Sequence, residues 1–338
     1  MMLRFLLRVL LFLVAVAIIA AAVGPLLIDP TPAPGASSAK AIAGPGSKFT
    51  DIPFRGTDGL TLHYLERSPS AHAAADAPTF VLLHGFTFNA FTWNRMLGFF
   101  ADHGRVVAYD QIPYGLSAKP LPGTWTGPNP YSKAAALTQL NALLDALGRR
   151  QVILVGNSSG GTLALDAALA DPQRVQALIL LGPWVHANRP IFPRWIAELP
   201  QMRRLSLLLA RYLGGTSPLL DYSYANPSLI DDQRRALTGI HRQMANWDVA
   251  WAALLDHSLT DPVEIAQHLG EVQQPVLVMT GSEDHVVPVA DTQATARELP
   301  DASFALLPGC GHVPQEECPQ LVSDAIARWL PKLTNPGR

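Results

Sequence analysis

The stretch VILVGNSSGGTLALDAAL, residues 152–169, decides the fold expected for this chain. It begins with a continuous apolar run, which is typical of a strand buried on both faces of a parallel sheet. It ends in a helix-like segment, and the turn between the two matches the pattern G-x-S-x-G. A nucleophile at such a strained strand-to-helix elbow needs small neighbours two residues on either side, which Gly156 and Gly160 provide. The pattern therefore predicts Ser158 as a nucleophile, within an elbow of Gly156, Asn157 and Gly160.

Strands and helices alternate along most of the chain, which is typical of βαβ units and a mainly parallel sheet. Further apolar runs predict strands at residues 60–66, 79–84, 105–110, 151–156, 175–182, 275–281 and 302–308. Helical patterns occupy residues 133–147, 289–299 and 319–330, in addition to the helix from Ser159. Residues 184–272 contain helix-like stretches without a convincing strand, which predicts a helical cap inserted into an α/β core of residues 49–183 and 273–332.

A serine hydroxyl is a weak nucleophile unless a base accepts its proton and a third group orients that base. His312 follows a predicted strand in a glycine-flanked loop, and loops at the carboxyl ends of parallel strands carry the chemistry of such sheets. Asp284 follows another predicted strand in GSEDHVVP, with Glu283 as the competing acid. We therefore predict a catalytic triad of Ser158, Asp284 and His312.

Acyl transfer also requires donors for the oxyanion that develops at the carbonyl. In LLHGF, residues 82–86, Gly85 permits a tight turn that can point the backbone N–H of Phe86 into the site. The backbone N–H of Ser159 lies directly after the nucleophile and supplies a second donor. His84 is expected to hydrogen-bond within its own loop rather than to act as a second base.

The N-terminal segment is long enough to cross a bilayer. Residues 9–28 form an uncharged run of twenty residues, and Arg4 and Arg8 precede it. The positive-inside rule leaves the N-terminus in the cytoplasm and the remaining chain outside. We expect residues 1–28 to be a transmembrane signal-anchor, with a cleaved secretory signal as the alternative. Residues 29–48, rich in Pro, Gly, Ala and Ser, predict a flexible linker.

Composition argues against nucleic-acid binding and leaves open whether the two cysteines form a disulfide. The net charge is −2, so the chain offers no basic field for nucleic acid. The two cysteines, Cys310 and Cys318, show no metal-site spacing. In an exported protein they can form a disulfide, and two buried free thiols are the alternative.

These motifs together resemble the α/β-hydrolase fold superfamily, and more narrowly its bacterial, membrane-anchored serine hydrolases. The matching stretches are LLHGF (82–86), YDQIPYGLS (109–117), GNSSGG (156–161), GSEDHVVP (281–288) and GCGHVPQEECP (309–319). The resemblance implies an eight-stranded, mostly parallel sheet with helices on both faces and a helical cap after the sixth strand. It carries over the triad Ser158, Asp284 and His312, with Phe86 and Ser159 as the oxyanion hole. Asp110 and Gly115 match a structural turn.

The chemistry predicted from these features is the hydrolysis of a carboxylic ester through an acyl-enzyme, without a cofactor or a metal. Leucines and aromatic residues in the cap predict a small apolar or aromatic ester as the substrate. The aromatic candidates are Phe86, Phe88, Phe91, Trp93, Trp184, Trp195, Tyr212, Tyr222, Tyr224, Trp247 and Trp251.

Three other functions remain open at this stage. Carbon–carbon hydrolases of meta-cleavage diketones often show GNS at the elbow, as this chain does at residues 156–158. They usually carry GPG after the HG turn, where this chain has FTFNAFTWN at residues 86–94. Cofactor-free haloperoxidases or perhydrolases share the serine triad. A non-catalytic binding protein is disfavoured, because every part of a hydrolase site is present. Ser158 argues strongly against the haloalkane dehalogenases and epoxide hydrolases of this fold, which carry an aspartate at the elbow.

Overall fold

A computed structural model describes residues 2–74, 76–186 and 191–334. Its centre is one sheet with strand order β1-β2-β4-β3-β5-β6-β7-β8. The pairings of β1 with β2 and of β2 with β4 are antiparallel, and the other pairings are parallel. The predicted eight-stranded, mostly parallel sheet is confirmed. The strands are β1 (Ser47–Ile52), β2 (Leu60–Arg67), β3 (Thr79–Leu83), β4 (Arg105–Tyr109), β5 (Val152–Asn157), β6 (Val175–Leu181), β7 (Val276–Gly281) and β8 (Ala302–Leu307).

The central strands are apolar because both of their faces are covered. In β3, Val81 and Leu83 enter one core cluster, whereas Phe80 and Leu82 enter another on the opposite face. This alternation follows from the two-residue period of a strand. Each fully buried large aliphatic or aromatic side chain stabilises the fold by about 1.5–3 kcal/mol.

Helices cover both faces of the sheet. On one face lie α3 (Lys133–Ala146), α4 (Ser159–Ala170) and α10 (Val289–Glu298), and on the other lie α2 (Leu97–His103) and α12 (Pro319–Trp329). The short helices α11 (Pro314–Glu317) and α13 (Pro331–Thr334) flank α12. The helix α2 and the strand β1 had no counterpart in the sequence pattern.

Within the described residues, five α-helices lie between β6 and β7, after the sixth strand, where a helical cap was expected. They are α5 (Arg194–Ala197), α6 (Pro200–Thr216), α7 (Pro218–Ser223), α8 (Asp232–Thr238) and α9 (Trp247–Thr260). Residues 231–257, whose sequence is helix-like, form two helices, because the chain leaves α8 at Gly239 and turns through Asn246, whose φ is 65°. Trp247 and Trp251 of α9 pack into a separate core cluster, which joins the cap to Tyr114 of the α/β core.

The N-terminal helix α1 (Met2–Val23) continues the apolar pattern read from the sequence. The span Arg4–Leu27 is long and apolar enough to cross a membrane, and no part of its most apolar window is buried against the rest of the protein. The linker that follows is not free along its length. Ala36 N–H donates to the Gln243 carbonyl at 2.8 Å, and Ala33 N–H donates to Asp248 Oδ1 at 2.8 Å. Composition predicted flexibility here because it does not reveal backbone hydrogen bonds to the cap.

Candidate active site

Ser158 stands at a sharp turn between β5 and α4. Its φ of 55° and ψ of −121° are strained for a residue with a side chain, and the residue is almost wholly buried. A Cβ on Gly156 would come within 2.6 Å of Gly161 Cα, and one on Gly160 would meet the backbone of Leu83. The elbow therefore requires glycine at both positions, as the sequence pattern indicated.

Asp284 and His312 are brought together from two loops at the carboxyl ends of β7 and β8. His312 Nδ1 lies 2.9 Å from Asp284 Oδ2, and both residues are buried. The other oxygen of Asp284 accepts the backbone N–H groups of Val286 and Val287, each at 2.9 Å. The competing acid, Glu283, is exposed to solvent. Among the described residues, the carboxylate that orients the His312 ring is that of Asp284.

The Ser158 hydroxyl and the His312 ring line the same cavity. Among the described residues, no hydrogen bond joins these two side chains. Catalytic hydrogen bonds of hydrolases are often loose without substrate and tighten in the complex.

Two backbone N–H groups beside Ser158 are available as donors. Neither Phe86 N–H nor Ser159 N–H has a partner within the described ranges, and both residues line the cavity. Gly85 brings the end of β3 against the elbow, since a Cβ there would lie 2.9 Å from Ser158 Cβ. Thr87, with a φ of 67°, continues this strained loop.

His84 is held within its loop. Its Nε2 accepts the N–H of Gln111 at 3.0 Å, so the ring proton is on Nδ1, which donates to the Gly85 carbonyl at 2.8 Å. Complete burial lowers the pKa of His84, although Asp110 opposes this shift. A neutral imidazole with both nitrogens occupied is a structural group.

The cavity over Ser158 has a volume of about 610 Å³, within the range of small-molecule sites. It lies between the carboxyl ends of the strands and the cap. A larger depression of about 1070 Å³ lies at the amino ends of the strands, near Gln151, Val175 and Pro275. Because a parallel sheet binds ligands at the carboxyl ends of its strands, the cavity over Ser158 is the candidate site.

The lining of the cavity includes the ion pair of Lys133 with Asp166. Lys133 Nζ lies 3.2 Å from Asp166 Oδ2. Burial raises the pKa of Asp166, and Lys133 partly opposes this effect. Within residues 2–74, 76–186 and 191–334, Lys133 is the one lysine or arginine that lines the cavity.

Comparison with known proteins agrees with this architecture. The sequence model of the alpha/beta hydrolase fold matches residues 78–319, which is more than half of the chain. The chain belongs to the α/β-hydrolase family. The predicted superfamily is thereby confirmed.

The relatives of this α/β-hydrolase include several enzymes. An uncharacterized hydrolase of Bacillus subtilis (strain 168), YugF, is 29% identical over 280 residues, which are 81% of this chain and 95% of that protein. The 2-hydroxymuconate semialdehyde hydrolase of Pseudomonas putida is 28% identical over 236 residues, covering 67% and 76%. A crystal structure of a membrane phospholipase A shares the fold with a TM-score of 0.64 and 23% identity, covering 98% and 99%. The hydrolase is thus an enzyme of this class.

The loop that carries His312 in the hydrolase is fastened on several sides. The cysteines at its two ends, Cys310 and Cys318, are joined by a disulfide. Glu317 accepts the N–H groups of Gly311 at 2.6 Å and Asn226 at 2.7 Å, which ties the loop to the cap. The adjacent carboxylate of Glu316 accepts the hydroxyl of Tyr224 at 2.5 Å and lies 3.0 Å from Arg234 Nε.

Sequence reasoning missed the positioning residues around His312. Asn157 Nδ2 donates to the carbonyls of Leu181 and His312, at 3.0 and 2.9 Å. A Cβ on Gly182 would lie 2.9 Å from Asp284 Oδ2. Two sequence features could have indicated these residues. They are the amide of Asn157 beside the nucleophile and the adjacent acids Glu316 and Glu317 in the loop after His312.

The aromatic residues proposed as lining candidates divide into three groups. Phe86, Phe88, Trp184 and Tyr222 line the cavity, joined by Tyr114 and Tyr131 from the core. Phe91, Trp93, Tyr224, Trp247 and Trp251 are buried in packing. Trp195 and Tyr212 are exposed on the outside of the cap. The first group gives the cavity a largely apolar wall.

A second serine–histidine–aspartate arrangement lies outside the cavity. His63 Nδ1 is 2.7 Å from Asp110 Oδ2, and its Nε2 is 2.9 Å from Ser47 Oγ. Asp110 also accepts the N–H groups of Ala90 and Leu116. Ser47 does not line the cavity over Ser158. This arrangement fastens β1 and the turn after β4, in line with the structural turn expected at Asp110.

Proposed function

We propose that this α/β-hydrolase is a serine hydrolase that cleaves carboxylic esters through an acyl-enzyme. The observation that carries the proposal is the convergence of four groups on one cavity. They are the strained Ser158, the Asp284–His312 pair and two backbone N–H groups, of Phe86 and Ser159, for which the described residues supply no partner. This constellation is recognised by the geometry and roles of its members rather than by their order in the chain.

Each group has a defined step in the proposed reaction. His312 Nε2 accepts the hydroxyl proton of Ser158 as the serine oxygen attacks the ester carbonyl, and Asp284 keeps the proton of the imidazole on Nδ1. The N–H groups of Phe86 and Ser159 donate to the oxyanion of the tetrahedral intermediate. His312 then protonates the departing alcohol, and water repeats the sequence on the acyl-enzyme to release the acid.

The wall chemistry of the cavity favours an uncharged ester. The aromatic and aliphatic lining suits an apolar acyl or aryl group. Lys133 is already paired with Asp166, so a substrate carboxylate would find little free positive charge there. Burying an unpaired charge is costly, and this disfavours anionic substrates.

The test uses short p-nitrophenyl esters and a fluorophosphonate probe. Ser158→Ala is expected to abolish hydrolysis and labelling while circular dichroism and melting temperature stay unchanged. Ser47→Ala is the matched control, since it removes the serine of the second arrangement and is expected to retain both activities. Full activity or labelling in Ser158→Ala would refute the proposal.

Carbon–carbon bond hydrolysis is the second candidate. Asn157 beside the nucleophile and the similarity to the Pseudomonas putida hydrolase favour it. Meta-cleavage diketones carry a carboxylate, which the paired state of Lys133 disfavours. The two functions are separated by assaying the wild type and Ser158→Ala on esters of increasing acyl-chain length and on ring-fission diketones. The substrate class that the wild type hydrolyses, and Ser158→Ala does not, identifies the function.

We further propose that residues 9–28 anchor the hydrolase in the membrane, with the catalytic domain on the extracytoplasmic side. Arg4 and Arg8 before the apolar run favour this orientation. The Cys310–Cys318 disulfide is typical of an oxidising compartment. Retention in membranes after a carbonate wash, with protease sensitivity of the domain from outside, is the expected result. Recovery of a soluble protein whose N-terminus lies after residue 28 would show instead that the apolar segment is a cleaved secretory signal.

A further inference from the structure

The outer side of the cap carries an apolar stripe that is exposed among the described residues. In α6, Leu205, Leu208, Leu209 and Tyr212 follow the i, i+3, i+4, i+7 spacing of one helical face, and all four are exposed. Leu207, Ala210 and Gly214 of the same helix are buried, since α6 packs against α9. Apolar residues on both faces are typical of a helix that is buried on both of them.

The stripe is extended by the element before α6. Trp195 of α5 is 65% exposed, and Leu199 between the two helices is also exposed. We call the six residues Trp195, Leu199, Leu205, Leu208, Leu209 and Tyr212 the outer cap face. Soluble monomers rarely expose large contiguous apolar patches, and such patches mark sites of interaction.

The outer cap face lies beside the end of the membrane-spanning segment. Gln201 Nε2 donates to the Ala22 carbonyl at 3.1 Å, and Arg204 donates to the Ile28 carbonyl at 2.6 Å. Both donors belong to α6, and both acceptors lie at the end of the apolar N-terminal segment. The cap is therefore held next to the point where the chain leaves the bilayer.

The chain continues along the cap after this point. Arg211 of α6 donates to the carbonyls of Asp29 at 2.8 Å and Thr31 at 2.7 Å, and it pairs with Asp248 at 2.9 Å. These bonds join the linker to α6 and α9. They leave little freedom for the cap to move away from the N-terminal helix.

The charge on α6 suits an anionic surface. The helix contains Arg203 and Arg204 and no acidic residue, although Glu198 precedes it, and the charge of its third arginine, Arg211, is paired with Asp248. Arginines next to an exposed stripe of leucines with Trp and Tyr are typical of helices that lie in a membrane interface. Anionic lipids attract such basic segments when they lie near the membrane surface.

We propose that the outer cap face docks on the surface of the lipid bilayer that holds the N-terminal helix. The surface would bury Trp195 and the leucines of α6 at the level of the headgroups. The cap helices α7 and α9 also line the cavity, through residues that include Leu219, Tyr222 and Leu255. Docking thus brings the cavity to membrane-held esters. The inference rests on the proposed membrane anchor, and its first test does not depend on the reaction catalysed.

The first test measures the depth of the outer cap face directly. The full chain with Leu208→Cys, labelled with an NBD fluorophore without reductant, is reconstituted in vesicles of phosphatidylcholine and phosphatidylglycerol. We expect blue-shifted emission and about twofold quenching by a nitroxide lipid labelled near the headgroup. The control is Gln173→Cys, at an exposed site by the amino end of β6, which is expected to stay unquenched.

Two results would overturn the proposal. The first is water-like, unquenched emission at position 208. The second is emission that changes with the protein-to-lipid ratio but not with the nitroxide, which would assign the face to a second copy of the chain. A cleaved N-terminal helix would not prevent the measurement, because the labelled domain can be added to the same vesicles.

The second test asks whether docking serves catalysis. Changing Leu205, Leu208 and Leu209 to Ser is expected to lower the ratio of vesicle-borne long-chain ester to soluble short-ester hydrolysis about tenfold. Phe304→Ser with Leu306→Ser is the control, because these exposed residues lie on the edge strand β8. An unchanged ratio would overturn the catalytic role. If the wild type hydrolyses neither ester, the proposed function is refuted. The nitroxide quenching at position 208 would still test the docking, because it does not depend on activity.

Discussion

His312 Nδ1 lies 2.9 Å from Asp284 Oδ2, although the two residues are 28 positions apart in the chain. The carboxylate is fixed in turn by two backbone N–H groups, from Val286 and Val287. A buried imidazole whose Nδ1 proton is held in this way presents Nε2 as the free base. The pair thus sets both the tautomer and the orientation of the ring that faces the cavity.

Replacing Asp284 with Asn is expected to lower kcat/KM for p-nitrophenyl esters by about 10⁴-fold, because the amide favours the wrong tautomer of His312. The melting temperature is expected to change little, since Asn retains the size of the side chain. Glu283→Gln is the matched control, because Glu283 is exposed beside the same loop. Equal losses in the two variants would contradict the assignment of the acid.

Gly160 permits the close contact between the elbow and β3. A Cβ at this position would run into the backbone carbonyls of Leu83 and His84. Gly160→Ala is therefore expected to destabilise the protein by about 1–3 kcal/mol and to abolish ester hydrolysis. Gly98→Ala is the control, since a Cβ on this helical residue meets nothing within 4 Å. That variant is expected to be as stable as the wild type or slightly more stable in urea unfolding.

The Cys310–Cys318 disulfide closes a short loop around His312. By the chain-entropy estimate, removing this cross-link costs about 2–3 kcal/mol of folding free energy. The variant with both cysteines changed to Ser is expected to lose this amount in urea unfolding. Reductant is expected to destabilise the wild type equally and to leave the double variant unchanged. If reductant also destabilises the double variant, its effect on the wild type does not come from the Cys310–Cys318 disulfide.

The elbow, the histidine loop and the acid loop could be predicted because each follows a strand within a few residues. A local pattern of glycines and apolar runs is enough to locate Ser158, His312 and Asp284 at one edge of the sheet. The sequence also predicted the cap, because no strand-like run interrupts residues 184–272.

The hydrogen bonds that hold the catalytic loops in place could not be predicted, because they join distant parts of the chain. Glu317 bonds to Asn226, which is 91 residues away, and Asn157 bonds to His312, which is 155 residues away. The linker offers a further case, since the N–H of Ala33 donates to Asp248 across 215 residues. Composition reports none of these pairings.

The buried His241 of the cap makes stability sensitive to acid. Burial, with Lys119 and Arg242 nearby, lowers the pKa of His241 to about 3, whereas the ordinary pKa of a histidine in an unfolded chain is about 6.5. The ring stacks on Trp251 with centroids 4.5 Å apart. Between these two pKa values the unfolded state binds the additional proton, so the stability that this group contributes above pH 6.5 is lost as the pH falls.

His241→Phe is expected to remove this dependence. In the wild type, this one group lowers the free energy of unfolding by about 1.4 kcal/mol for each pH unit within the window. Urea unfolding at pH 7, 6 and 5 should therefore give a shallower pH dependence for His241→Phe than for the wild type. His72→Gln, at an exposed site, serves as the control and is expected to keep the wild-type slope. Parallel slopes for all three proteins would show that His241 is not the group that titrates.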